Sequence, residues 1–172
     1  MALIKSVRGY TPVWGHHCYL SENSTLIGDV VMGDYCSVWF NAVIRGDVNS
    51  IRIGDRVNIQ DGVIIHATFD KAATFVGHNV SIGHRAIIHG CTIENNVLIG
   101  MGAIIMDHAV VPEFCLVGAG ALVPENTQLE SGFIYAGIPA KKLKPLDQES
   151  LQFNITRTAE NYIKYAQWFQ EV

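Results

Sequence analysis

The stretch IENNVLIGMGAIIMDHAVVPEFCLVGAGALV, Ile93 to Val123, repeats an aliphatic residue every six positions: Ile93, Ile99, Ile105, Val111, Val117 and Val123. Four residues after most of them stands a small side chain, Ala103, Ala109, Cys115 and Ala121. A helix repeats at about 3.6 residues and a half-buried strand at about 2, so a period of six belongs to neither. It suits short strands stacked about 4.8 Å apart as parallel coils, with one hexad on each side of a triangular prism and about 18 residues per coil. The aliphatic residue then points to the axis. The plus-four residue lies in the crowded interior near a corner, where only a small or β-branched side chain fits.

Outward from this stretch the pattern covers most of the chain. Upstream aliphatic positions are Leu20, Leu26, Met32, Val38 and Ile44, then Ile53, Ile59 and Ile65, then Val76, Ile82 and Ile88. Their plus-four partners include Ser24, Val30, Cys36, Ala42, Val57, Val63, Val80, Ala86 and Thr92, with Phe69 the bulky exception. Gly28, Gly33, Gly54, Gly77, Gly83, Gly100 and Gly118 are expected to supply the permissive backbone of tight corners. The expected fold is mainly β, a left-handed parallel β-helix over residues 1–145. Its hand is that of the hexapeptide-repeat class, against the usual right-handed crossover preference, and does not follow from the period. Two interruptions, around Asn49 and over Thr68 to Thr74, are expected to bulge as loops. From Pro145 the spacing changes: Leu151, Ile155, Ala159, Tyr162, Ala166 and Phe169 predict an amphipathic helix within residues 146–172, packed along the prism within a single domain. Tyr165 and Trp168 are read as packing residues.

With 172 residues, 49% of them apolar and 16% charged, the chain has the makings of one domain with a core. A formal net charge of −4 without a run of Lys and Arg argues against nucleic acid or anionic lipid and for a small or neutral ligand. No apolar run approaches the roughly 18 residues of a membrane span, and MALIKSVRGY lacks the charged-then-apolar plan of a secretion signal, so a cytoplasmic protein is expected. Cys18, Cys36, Cys91 and Cys115 are scattered and read as buried structural thiols. The sequon Asn154-Ile155-Thr156 and the tripeptide Arg45-Gly46-Asp47 are read as carrying neither glycosylation nor adhesion.

The histidines are the chemically informative residues. His66 and His89 follow an inward aliphatic residue directly and His84 stands second after one, so all three point outward. Three neutral imidazoles with one open position are the donor set of a hydrolytic or hydrating zinc ion. Spacings of 18 and 5 predict that His66 and His84 lie close to stacked, with His89 past the next corner. One prism would struggle to converge all three, which points to a closed cyclic oligomer with sites between subunits. Outward Arg45 and Asp47 in VIRGDVN, and Asn58, Gln60 and Asp61 in NIQDGVIIHA, suggest an Arg–carboxylate pair across an interface and an amide that orients bound water. His16, His17, His78 and His108 are read as surface residues.

The segments SVWFNAVIRGD, NIQDGVIIHA and IGHRAIIHGC together resemble the γ-class carbonic anhydrases, over roughly Pro12 to Pro145. The resemblance implies a homotrimer with Zn2+, or else Fe2+ or Co2+, bound between subunits by His66 and His89 of one chain and His84 of the next. It implies that Arg45, Asp47 and Asp61 make interface ion pairs, that Gln60 hydrogen-bonds the metal-bound solvent, and that Tyr135 reaches the site. The implied activity is metal-hydroxide hydration of carbon dioxide to bicarbonate, with no nucleic-acid or membrane partner. The chain departs from the family at the proton shuttle: Val48 follows Asp47 where a glutamate is usual, and the loop ATFDKAATF offers only Asp70. A slow enzyme is expected, or one that passes its proton to Asp70, Tyr135 or buffer. The rival readings are an acyltransferase or acyl-CoA thioesterase on the same fold, and a non-catalytic metal-binding trimer.

Overall fold

The computed structural model describes residues 1–170. The hexads form short strands stacked in register as a left-handed parallel β-helix: Ile82 lies between Ile59 and Ile99, and Ile88 between Ile65 and Ile105. One face carries Ile64–His66, Ile87–His89, Ile104–Ile105 and Leu122–Val123. A second carries Thr74–Val76, Thr92–Ile93 and Val110–Val111. The third runs through seven coils from Tyr19–Leu20 to Phe133–Ala136, and the antiparallel strand Lys141–Pro145 closes its end. The long strands Thr25–Met32 and Val43–Ile53 turn the corner between the first two faces and join them into one sheet.

Every inward aliphatic residue from Leu26 onward is buried, and Leu20, in the first coil of the third face, is half-buried. The plus-four residues fill the interior except for Phe69, exposed on a loop, and Thr92, half-buried. Cys36, Cys91 and Cys115 are buried free thiols as read from the sequence, and Cys18 is half-buried.

The glycines act differently from the expectation. Left-handed backbone runs down one edge at His17, Tyr35, Arg56, Asn79, Asn96 and Phe114, and down another at Asn41, Gly62, Arg85, Gly102 and Gly120. Of the seven glycines singled out by the repeat, only Gly28 has a positive φ. The others meet the next coil: a Cβ on Gly83 would lie 2.7 Å from the Met101 amide nitrogen. Their missing side chain supplies room, not conformational freedom.

The first interruption is not a loop. Gly28 pairs with Gly46 and Val30 with Ile51, so Asp47 to Ser50 bulge opposite Asp29 alone while the strand continues. A bulge absorbs extra residues without leaving the sheet. The second interruption does project. Thr68 and Ala72 bridge its neck, and Phe69 lies exposed with the Arg8 guanidinium 5.6 Å above its ring.

Asp147 accepts from the Ser150 amide at 2.7 Å and starts the C-terminal helical segment, which continues through a wide π-helical stretch, Leu151–Thr156, into Arg157–Trp168. Ile155, Ala159 and Ala166 are its buried residues. It lies against the early coils of the third face, where Trp39 packs edge-on to Tyr162 at 5.4 Å and to Phe169 at 5.5 Å. Trp168 departs from its expected packing role: it is exposed, with its ring tilted 5.0 Å from that of Tyr165 and under Lys164. Among the described residues no helix is long and apolar enough to cross a membrane.

Candidate metal centre

Strands Ile64–His66 and Ile87–His89 pair in register, which sets His66 directly beside His89. The spacing argument had stacked His66 on His84 instead. The Thr68–Thr74 segment lengthens this coil, so the residue one coil on from His66 is 23 positions away, not 18.

The paired rings bring His66 Nδ1 to 3.1 Å from His89 Nε2. Each outer nitrogen faces a carboxylate. His66 Nε2–H donates to Asp47 Oδ1 at 3.1 Å, and Arg45 donates to the other Asp47 oxygen. His89 Nδ1–H donates to Asp107 Oδ1 at 2.6 Å, and the Thr68 hydroxyl donates to Asp107 Oδ2. With both outer nitrogens protonated, neutral rings present two lone pairs to one another, an arrangement that calls for a cation between them. A tetrahedral zinc ion at about 2.0–2.1 Å from each ligand sets its nitrogens about 3.3 Å apart, so this pair fits.

Electrostatics favours the unprotonated form of His66 and the ionised forms of Asp47 and Asp107. Burial, reinforced by the charge of Arg45, holds the His66 imidazole below its usual pKa even though Asp47 pulls the other way. Burial pushes Asp47 up, but hydrogen bonds from Arg45 and His66 outweigh it and the carboxyl stays low. Asp107 behaves alike, with Thr68 and His89 overcoming its burial.

His84 stands on a different corner, after strand Ser81–Ile82 of the third face. Its Nδ1–H donates to Asp61 Oδ2 at 2.9 Å, leaving Nε2 for an incoming partner. Its side chain is 42% exposed against 16% for His66. Gln60 is fixed beside it: Oε1 accepts from the His84 amide at 3.2 Å, and Nε2 donates to Asn58 Oδ1 at 3.0 Å. A groove of about 400 Å³ runs from Gln60 and His84 past Leu98 and Leu116 to Tyr162 on the helix.

The structure therefore gathers Arg45, Asp47, His66 and His89 at one edge, and Gln60, Asp61 and His84 at another. Among the described residues of one chain, no three His, Cys, Asp or Glu side chains converge as a metal needs. The carboxylates expected to pair across an interface are engaged within the chain, Asp47 by Arg45 and Asp61 by His84. Tyr135 is brought to neither edge. It is buried, and its hydroxyl donates to the Glu130 carbonyl at 3.2 Å and accepts from the Glu130 amide at 2.8 Å. His16, His17, His78 and His108 are exposed, as read from the sequence. Sequence reasoning missed Asp107 and Thr68. Asp107 carried a signal, since it lies 18 residues after His89, one regular coil on.

No family model matches the chain. It is 39% identical over 162 residues to gamma carbonic anhydrase 2, mitochondrial, of Arabidopsis thaliana, covering 91% of this chain and 58% of that protein. It thus spans less than two thirds of that relative's length. It is 36% identical over 168 residues to a carbonic anhydrase of Geobacillus kaustophilus, covering 98% of this chain and 91% of that one. Among solved structures, a Bacillus cereus protein described as an acetyltransferase matches with a TM-score of 0.94 at 34% identity, over 98% of this chain and 96% of that one.

Proposed function

The chain belongs to the gamma carbonic anhydrase family, and on that footing we propose that it hydrates carbon dioxide to bicarbonate at a metal centre shared between subunits. The observation that carries the proposal is the pair of imidazole nitrogens 3.1 Å apart, each ring held from behind by a carboxylate. His66 and His89 of one copy and His84 of a neighbour hold the ion, Zn2+ or else Fe2+ or Co2+, since three imidazoles suit each of them. The two donor edges occupy different corners of one prism, so a closed ring of copies completes equivalent sites between neighbours; the resemblance to the gamma carbonic anhydrases implies that the ring has three.

When bound, such a cation supplies Lewis acidity that brings the ionisation of water near neutral pH. The chain's own residues do the rest. Asp47 fixes the His66 tautomer so that its unprotonated nitrogen points inward. Gln60, pinned by Asn58 and the His84 main chain, is the amide that orients the reacting molecule at the His84 edge. Arg45 pairs with Asp47 and balances its charge, which holds that carboxylate in place behind His66. Of the positions considered for proton export, Val48 cannot titrate, the Tyr135 hydroxyl is committed to Glu130, and Asp70 is exposed at a loop tip. The proton passes to buffer, and turnover is slow.

The test is stopped-flow carbon dioxide hydration on anaerobically purified protein, with metal assayed on the same sample and His84→Ala alongside. Activity that tracks metal and disappears in the variant is expected. Metal-loaded but inert protein overturns the reading, and a trimer that dissociates in His84→Ala identifies the ion as structural. A second reading, acyl transfer or thioester hydrolysis, draws on the likeness to the Bacillus cereus structure and on the groove beside His84. Acyl-CoA turnover that survives metal removal supports it.

A further inference from the structure

The metal reading leaves one part of the histidine edge without a role: the out-of-register segment and the carboxylate beneath it. We infer that Asp107 is a positioning residue for His89, and that Thr68 and Thr74, at the two ends of the irregular segment, brace the histidine pair. This rests on the reading of His66 and His89 as metal ligands.

Asp107 sits one coil on from His89, only 16% exposed, where an unpartnered carboxylate would be costly. Both its oxygens are used: Oδ1 takes the His89 Nδ1–H at 2.6 Å, and Oδ2 takes the Thr68 hydroxyl. Room for this is built into the backbone. A Cβ on Gly90 would lie 2.4 Å from Asp107 Oδ1 and 2.8 Å from the Ala72 side chain, so glycine there lets the carboxylate and the segment close over the same spot.

The far end of the segment acts on the main chain. Thr74 is fully buried; its hydroxyl donates to the His66 carbonyl and accepts from the Gly90 amide at 2.9 Å. It therefore locks the residues that set the two rings side by side. Asn49, in the strand bulge, donates to the Thr68 carbonyl at 3.2 Å and ties the two irregular features together. A carboxylate on Nδ1 selects the tautomer whose Nε2 lone pair faces His66. Without it, the alternative tautomer places a proton where the cation belongs.

The test uses the full chain, free of metal and then titrated with Co2+. In long-range 1H–15N spectra at mildly alkaline pH, His89 is expected to carry its proton on Nδ1 in the unaltered protein and to shift it to Nε2 in Asp107→Ala. Co2+ binding is expected to weaken about 10- to 100-fold in that variant, with an altered visible spectrum. Asp107→Asn, which keeps an acceptor oxygen and the volume, should lose less and guards against a folding defect. Unchanged tautomer and unchanged Co2+ affinity in both variants overturn the inference. Tautomer shifts as stated, with no Co2+ binding by the unaltered protein, overturn the metal reading and leave the Asp107–His89 positioning supported.

Discussion

His66 Nδ1 faces His89 Nε2 across 3.1 Å, while Asp47 and Asp107 hold the opposite nitrogens. On the proposed metal reading, two ligands presented on adjacent rungs of a rigid ladder act as one chelating unit. Removing either should therefore cost nearly as much as removing both. His66→Ala, His89→Ala and the double variant are each expected to lose at least about 100-fold in metal affinity, since a ligand loss exceeds the 10- to 100-fold typical of a lost outer partner. Additive losses in metal titrations would show independent sites.

Metal binding should outlast ordinary histidine protonation as the pH falls. Protons compete with the cation for the same lone pairs. Burial holds His66 below its reference value of 6.5, so it remains unprotonated when the pH first drops past that point. Metal retention is expected to fail only at lower pH. Dialysis across a pH series reads this directly, and loss at or above 6.5 contradicts it.

Proton release should limit turnover. With Val48 beside Asp47, and with Tyr135 engaged by Glu130, the rate of carbon dioxide hydration is expected to rise with buffer concentration at fixed pH and ionic strength. Val48→Glu, which returns a titratable group to that position, should flatten this dependence. A rate independent of buffer in the unaltered protein would reveal an internal carrier.

Two glycine replacements should separate room from conformation. Gly83→Ala thrusts a methyl to 2.7 Å from the Met101 amide and is expected to cost at least about 1–3 kcal/mol. Gly102→Ala meets nothing within 4 Å but holds a φ of +66°, so its penalty is the left-handed backbone alone, about 1 kcal/mol. Urea melts of the two rank them; the reverse order would refute the packing account.

The coil architecture could be read from the chain because stacking turns a three-dimensional contact into a fixed count along the sequence. Ile59, Ile82 and Ile99 pair as the hexads require. The same count misled where residues are inserted: five extra positions, 23 less the nominal 18, moved His89 to where His84 had been expected. The residue types of the site were visible, but their convergence depended on that insertion. Asp107 stands at a regular spacing from His89, but nothing in the local sequence marks a carboxylate as pointing at a histidine. A glycine likewise does not announce whether it serves an unusual φ or a close neighbour, which only the opposing coil decides. Tyr135 matched a motif, yet its hydroxyl is spent on a main-chain partner five residues away.

The helix after the prism has a mechanical meaning. Phe169 rests 5.5 Å from Tyr19, and Gln170 Nε2 donates to the Cys18 carbonyl at 3.3 Å, across 152 residues. A stack in which each coil touches only its neighbours can fray from either end, one rung at a time. Here the last segment returns to clip the first rung, so neither end can loosen without the other. The spool is fastened as a loop, and it should melt in a single step.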